Sequence, residues 1–423
     1  MTEAPPSDEG SRRRSDGSSP LRTDGLRGLL RDNRDFRRLL AASVISQTGD
    51  WVISTGLAFY VYQLTGSTLA SATMLLITRL PDVLLGSVAG VLADRWDRRR
   101  LLVGTDVLLA LGLLPLLAVH EPSQIWIVYG VALWTGVLGT LLPPAQKALV
   151  PQLVAREQLL RANALHAQCG QIARLLGAML GGVAVSAGGL GAVVLIDVAS
   201  FAISAALQAS LRTPGRPSAA TSMGGQWVTG LRLAARHAGV RLLVAYMAIA
   251  GLGEGIFSTL AAPFVADVLG GGGDAYGLFL SVQAVGGIAG GLLVAAYAGA
   301  VKPQVLLGGA TIVFGLTDLA LFVYPLAVPA LWPALVLIAL AGAPAAAAMA
   351  GFTTLAQTVT ADEHRGAVIG LLGSAHAATA LLGTALAGVL GGTLGIVATL
   401  CLHAGGLIVA GLLVLAFRPA IIR

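Results

Sequence analysis

The chain has 423 residues, 56% of them hydrophobic and only 11% charged, with a mean hydropathy of +0.80. Soluble domains carry about 25% charged residues. This composition excludes a soluble domain, a disordered chain and, despite the net charge of +6, a nucleic-acid binder.

Residues 1–36 form a basic tail, disordered at first and amphipathic over 25–38, suited to an anionic inner leaflet. A crossing needs about 20 apolar residues. Twelve such stretches are expected, at 38–63, 69–93, 100–119, 124–146, 163–187, 190–211, 241–266, 275–298, 304–324, 331–357, 366–391 and 393–417. The Lys and Arg residues outside these stretches all fall on one side, which predicts that both termini are cytoplasmic. The first apolar run is too long for a cleavable signal peptide.

The longest connection, 212–240, is rich in Pro, Gly, Ser and Thr and divides the stretches six and six. The expected organisation is a bundle over 37–211, a cytoplasmic linker over 212–240, a second bundle over 241–417 and a short tail over 418–423. The halves also share motifs. Gly49-Asp50 through Ser54-Thr55 matches Gly253-Glu254 through Ser258-Thr259 at an offset of 204, and Gly66 matches Gly270 at the same offset. The predicted class is an all-α integral membrane protein with twelve transmembrane helices in two pseudo-symmetric six-helix bundles. Such repeats point to a transporter that rocks around a midplane cavity.

The run Gly90-Val-Leu-Ala-Asp94-Arg95-Trp96-Asp97-Arg98-Arg99-Arg100 resembles the loop G-x-x-x-D-R-x-G-R-R/K of the major facilitator superfamily, with Asp97 in place of the usual Gly. Asn33 to Leu39, Ser46 to Asp50, Pro144 to Pro151, Glu157 to Asn163 and Asp197 to Phe201 are similar to the bacterial branch that exports macrolides, tetracycline and enterobactin. The resemblance spans about 30–417 and implies the major facilitator fold. It also implies a gating latch at Gly90, Asp94, Arg95, Arg98 and Arg99, with Asp106 supporting it. Arg174, Gly177, Gly181 and Gly182 resemble the antiporter helix of that family, with Ala178 replacing its proline. Gly177 and Gly181 share a helix face open to a partner backbone.

A charge at mid-bilayer costs roughly 2.5–3.5 kcal/mol and needs a partner, water or a proton. Asp50 and Arg79 fall mid-way along neighbouring stretches, and we expect them to face the cavity and interact. A carboxylate moved between such a partner and a dry site takes up and releases a proton. Glu254, the repeat partner of Asp50, is expected to be unpaired and is a second proton carrier. Asp82 is expected to pair with Arg79 along its helix. Asp197 and Asp318 are expected to have structural roles. Trp51, Phe59, Phe257 and His376 are candidate cavity residues.

The predicted function is a proton-coupled exporter of a hydrophobic or amphipathic small molecule, such as a drug, antibiotic or siderophore. A lipid or lysolipid flippase of the same fold is the alternative, and a non-transporting membrane sensor is a more distant one. No G-x-x-x-x-G-K-S/T loop signals ATP use, and no Ser-His-Asp set signals an enzyme. Cys169 and Cys401 lie in separate stretches without metal spacing. The expected partners are a small molecule, protons and the lipid bilayer, with no nucleic acid, cofactor or metal. The expected setting is the bacterial inner membrane, with the protein as a monomer.

Overall fold

In the computed structural model, residues 33–155, 158–212, 232–235, 237–297, 301–328, 330–360 and 364–416 are described. The expected tail over 1–32, most of the 212–240 linker and the end of the chain lie outside that set.

Helix starts follow local capping chemistry, in which a side chain satisfies N–H groups that the first turn leaves free. Asn33 accepts from the Phe36 N–H at 2.9 Å and opens α1, Arg34–Thr65. Ser67 accepts from Ala70 at 3.2 Å and opens α2, Thr68–Arg95. Asp97 accepts from Arg100 at 2.9 Å and opens α3, Arg98–Leu113. The departure from Gly at Asp97 thus has a local cause: this residue caps the next helix.

Two shorter helices, α4 (Ile125–Gly139) and α5 (Leu142–Leu153), together fill one crossing. The 51-residue α6, Leu159–Ala209, contains one non-helical residue, Gly189. The second half has α7 (Ala238–Pro263), extended by a π turn over Phe264–Val268, then α8 (Gly273–Tyr297) and α9 (Pro303–Val323). It ends with α10 (Leu331–Val359), α11 (Arg365–Thr393) and α12 (Ile396–Ala416).

Among the described residues, ten stretches are long and apolar enough to cross a membrane. The remaining two crossings have physical explanations. The polar run Ser46-Gln47-Thr48-Gly49-Asp50 lowers the hydropathy of α1, which is nonetheless a 32-residue helix. The stretch Gln168–Ala209 holds two crossings that reverse at Gly189. A Cβ added to Gly177 would meet Thr48, and one added to Gly49 would meet Ser200 and Asp197. On one straight helix, residues 177 and 200 would stand roughly 35 Å apart. Both limbs therefore lie against the same stretch of α1, and the chain folds back between them. We call the limb 159–188 α6a and the limb 190–209 α6b.

Among the described residues, Gly66, Gly189, Gly270 and Gly395 have positive φ, at 60°, 62°, 64° and 88°. All four lie in turns at one end of the molecule, the glycine end. The left-handed conformation suits a residue without a Cβ. Gly66 and Gly270 stand in equivalent turns of the two halves, as do Gly189 and Gly395, so the duplication read from sequence reappears in backbone geometry. The opposite end carries Arg95, Arg98, Arg99 and Arg100, and we call it the arginine end. Large apolar side chains such as Leu111, Leu292, Leu340 and Val409 are exposed around the helices. Trp126 and Trp332 are exposed near the glycine end, as interfacial aromatics are.

Candidate functional site

α1 packs against both limbs of α6 and α7 against α11 and α12, and one apolar core runs through both halves, from Val52 and Val193 to Ile256 and Phe322. The halves meet along α6a with α8 and α2 with α11. Gly182 of α6a approaches the backbone of Gly273 and Gly277. Gly177 and Gly181 instead face Thr48 and Val52 of α1. The small-residue helix expected from sequence therefore serves a contact inside the first half and one between halves.

The hydrogen bonds seen between the halves run from mid-depth to the glycine end. Thr68 donates to the Gly388 carbonyl at 2.9 Å, and Ser281 donates to the Leu175 carbonyl at 3.1 Å. Ser186 bonds Asp274 through both its carboxylate and its N–H. Tyr62 donates to Asp267. Below this, Phe59 stacks on Tyr276 with centroids 6.1 Å apart. A cavity of about 630 Å³ lined by Tyr62, Val185, Ser186 and Asp267 lies over this seal. Arg98 donates to the Ala148 carbonyl at 3.2 Å and Arg99 donates to the Ala209 carbonyl. Gly90 and Asp94 are helical, and the surroundings of both lie outside the described set. A hydrogen bond to a charged group contributes about 1.5–3 kcal/mol. Tyr62→Phe is therefore expected to open the glycine end about tenfold or more often, read as faster maleimide labelling of a Gln63→Cys reporter.

At mid-depth, charged side chains face the space between the halves. Glu254 of α7 meets His376 of α11 at 3.2 Å, with its side chain 60% exposed. Arg174 of α6a donates to Gln283 of α8 at 3.1 Å, and its guanidinium stands 5.2 Å from the Trp51 ring centroid. Arg79 of α2 is exposed, and its charge is felt by Asp82 and Glu254.

Two expected pairings change. Asp50 forms no ion pair with Arg79 among the described residues: its neighbour Gly49 faces Asp197 and Ser200 of α6b, and Arg79 is exposed on α2. Gly49 lets α6b approach that side of α1, while Trp51 turns toward α6a. Glu254 is not alone, because α11 brings His376 to it. Asp106 lies fully buried and accepts from Gln208 of α6b at 3.0 Å, one residue before the Ala209 carbonyl to which Arg99 donates. Phe257 packs among Phe279, Phe322 and His403.

Sequence reasoning passed over the His403–Asp318 pair, 3.1 Å apart and buried, and the Tyr62–Asp267 contact. Matching the last helices of the halves would have set His403 opposite Asp197. No comparable signal marks Tyr62.

The transmembrane secretion effector family matches residues 30–421. The chain belongs to that family, within the major facilitator superfamily. Macrolide efflux protein A of Streptococcus pyogenes is 27% identical over 182 residues, 42% of this chain and 45% of that protein. Enterobactin exporter EntS of Salmonella typhi is 28% identical over 165 residues, 38% of this chain and 40% of that protein. An MFS-type transporter of Mycobacterium tuberculosis is 29% identical over 282 residues, 61% of this chain and 63% of that protein. The matches thus span less than two thirds of these relatives' lengths. Among solved structures, a bacterial homologue of the iron transporter ferroportin in an inward-facing state gives a TM-score of 0.72 at 17% identity, covering 91% of this chain and 98% of that one. An outward-facing structure of such a homologue gives 0.60 at 16% identity, with coverages of 91% and 99%. The fold is the all-α major facilitator architecture, and the chain is a multi-pass membrane protein.

Proposed function

We propose that this family member is a proton-coupled exporter of a hydrophobic or amphipathic small molecule, working by alternating access. The observation that carries the reading is a charged mid-depth layer between two halves joined by hydrogen bonds toward one end. A six-helix bundle over 37–211 and another over 241–417 rock about that layer. The arginine end faces the cytoplasm of a bacterial inner membrane, and the protein acts as a monomer. The captured state is then closed outside, and Gly90, Asp94, Arg95, Arg98 and Arg99 form the gating latch at the cytoplasmic end. The efflux relatives support the direction of transport. Asp50 and Glu254 are the proton-carrier candidates. His376 stands 3.2 Å from Glu254, and Arg79 and Arg174 are the cations that would exchange with it as cargo arrives.

The test uses the full chain in liposomes with a radiolabelled macrolide and an imposed proton gradient. Uphill movement is expected only with the gradient. Glu254→Gln is expected to lower it at least about tenfold, since a charged hydrogen bond is worth about 1.5–3 kcal/mol. Equal transport with and without the gradient ends the coupling claim. Movement of a labelled lysolipid in place of the macrolide points to the flippase reading.

A further inference from the structure

The seam between α6a and α8 can be followed inward from the glycine end. Ser186 accepts from the Asp274 N–H at 2.8 Å, Gly182 meets Gly277, and Ser281 donates to the Leu175 carbonyl. Arg174 then donates to Gln283 at 3.1 Å. Among the described residues, no further hydrogen bond joins these two helices toward the arginine end. Arg174 therefore stands where the seam stops, at the apex of the space between the halves, and both it and Gln283 are half-buried.

A charge at this depth needs a partner or water. Arg174 forms no ion pair among the described residues. Glu254 already has His376 at 3.2 Å, and Asp197 lies behind Gly49, against α6b. The guanidinium Cζ stands 5.2 Å from the Trp51 ring centroid. Stacking of this kind covers the face of the guanidinium and leaves its edge, which carries five N–H donors. The bond seen goes to the Gln283 amide oxygen, a neutral acceptor in a place where a carboxylate binds more strongly.

The duplication adds an independent observation. Trp51 matches Gly255 at the offset of 204, and a Cβ at Gly255 would meet Ala380 of α11. The repeat thus folds without a ring at this position, and α1 carries one where Arg174 lies opposite. At the same offset Gln283 matches Arg79, which brings a second guanidinium to a similar depth on α2, beside the other seam. Arg79 is exposed and forms no ion pair among the described residues, although Asp82 lies one turn along the same helix.

We propose that Arg174, stacked on Trp51, is the subsite for an oxyanion, a carboxylate or sulfonate, on an amphipathic cargo, and that the anion replaces Gln283 as its acceptor. Arg79 adds positive charge from the other seam and remains the cation that exchanges at Glu254. This rests on the exporter reading above and names acidic amphiphiles as the preferred cargo. A macrolide, which has no acidic group, uses the cavity without this bond.

Calorimetric titration of the full chain in a neutral detergent, with no gradient, tests it. The probes share one ring system: naphthalene-2-sulfonate, neutral naphthalene-2-sulfonamide and cationic trimethyl-2-naphthylammonium. The sulfonate is expected to bind at least about tenfold more tightly than the other two, as a hydrogen bond between charged partners implies. This arm uses unmutated protein and stands even where a variant fails to fold. Arg174→Gln should remove the preference. Gln283→Leu, which deletes the resting acceptor and leaves the cation, should keep it. Equal binding of the three probes overturns the proposal. So does a preference that survives Arg174→Gln, or one lost equally in Gln283→Leu. Displacement of the sulfonate by lysophosphatidylglycerol assigns the oxyanion to a lipid headgroup, and failure to displace it assigns a soluble cargo; Arg174 is the ligand in both. The liposome assay separates the two readings. Macrolide transport indifferent to the gradient, with the preference intact, ends the coupling and leaves the subsite. Gradient-driven macrolide transport with no preference among the probes ends the subsite alone.

Discussion

Gly182→Val is expected to stop transport while leaving a folded protein. A Cβ at residue 182 would stand 2.3 Å from the Gly273 carbonyl oxygen and 2.7 Å from the Gly277 Cα. Both are backbone atoms of the other half and cannot swing aside as a side-chain tip does. Overpacking of this kind costs about 1–3 kcal/mol. The cost falls only on states in which α6a and α8 touch near the glycine end. Separation of the halves removes it, so the substitution biases the conformational equilibrium by about 5- to 150-fold. Macrolide transport in liposomes should fall by a similar factor, and labelling of Gln63→Cys from the glycine end should accelerate. Gly181→Val provides the contrast. Its Cβ would meet the Val52 backbone inside the first half, where no gating motion relieves the clash. That variant should lose stability rather than change state. Normal transport and unchanged labelling in Gly182→Val would remove the closed-gate reading.

His403→Leu should be the most destabilising of these substitutions. His403 and Asp318 are 6% and 2% exposed and stand 3.1 Å apart. Phe257, Phe314 and Phe322 pack around the imidazole. Asp318 Oδ1 already lacks a partner, so removing the ring strands the whole carboxyl. Breaking a buried pair from one side costs about 3–5 kcal/mol. Replacing both partners with apolar residues leaves no such orphan and is often neutral or stabilising. The double variant His403→Leu/Asp318→Leu should recover most of the lost stability and still transport with the gradient. Thermal unfolding in detergent reads the first result and the liposome assay the second. Additive losses in the double variant would mean that the pair contributes no coupling energy.

The amino-acid sequence by itself determined the class, the crossings and the duplication. Each of these depends on the chain's partition between water and lipid, a property summed over about 20 residues at a time and indifferent to neighbours. The reversal between the fifth and sixth crossings was readable to within a residue or two of Gly189. Matched glycines foretold matched turns, because left-handed φ at Gly66 and Gly270 is a local demand. Partners at mid-depth were decided elsewhere. Asp50 and Arg79 share a depth, yet depth leaves the direction of each side chain open. The close approach of α6b at Gly49 brought Asp197 and Ser200 against α1 beside Asp50, and α11 carried His376 to Glu254 across the bundle. Such contacts depend on helix rotation and on which surfaces touch, and only the tertiary packing of twelve crossings decides those.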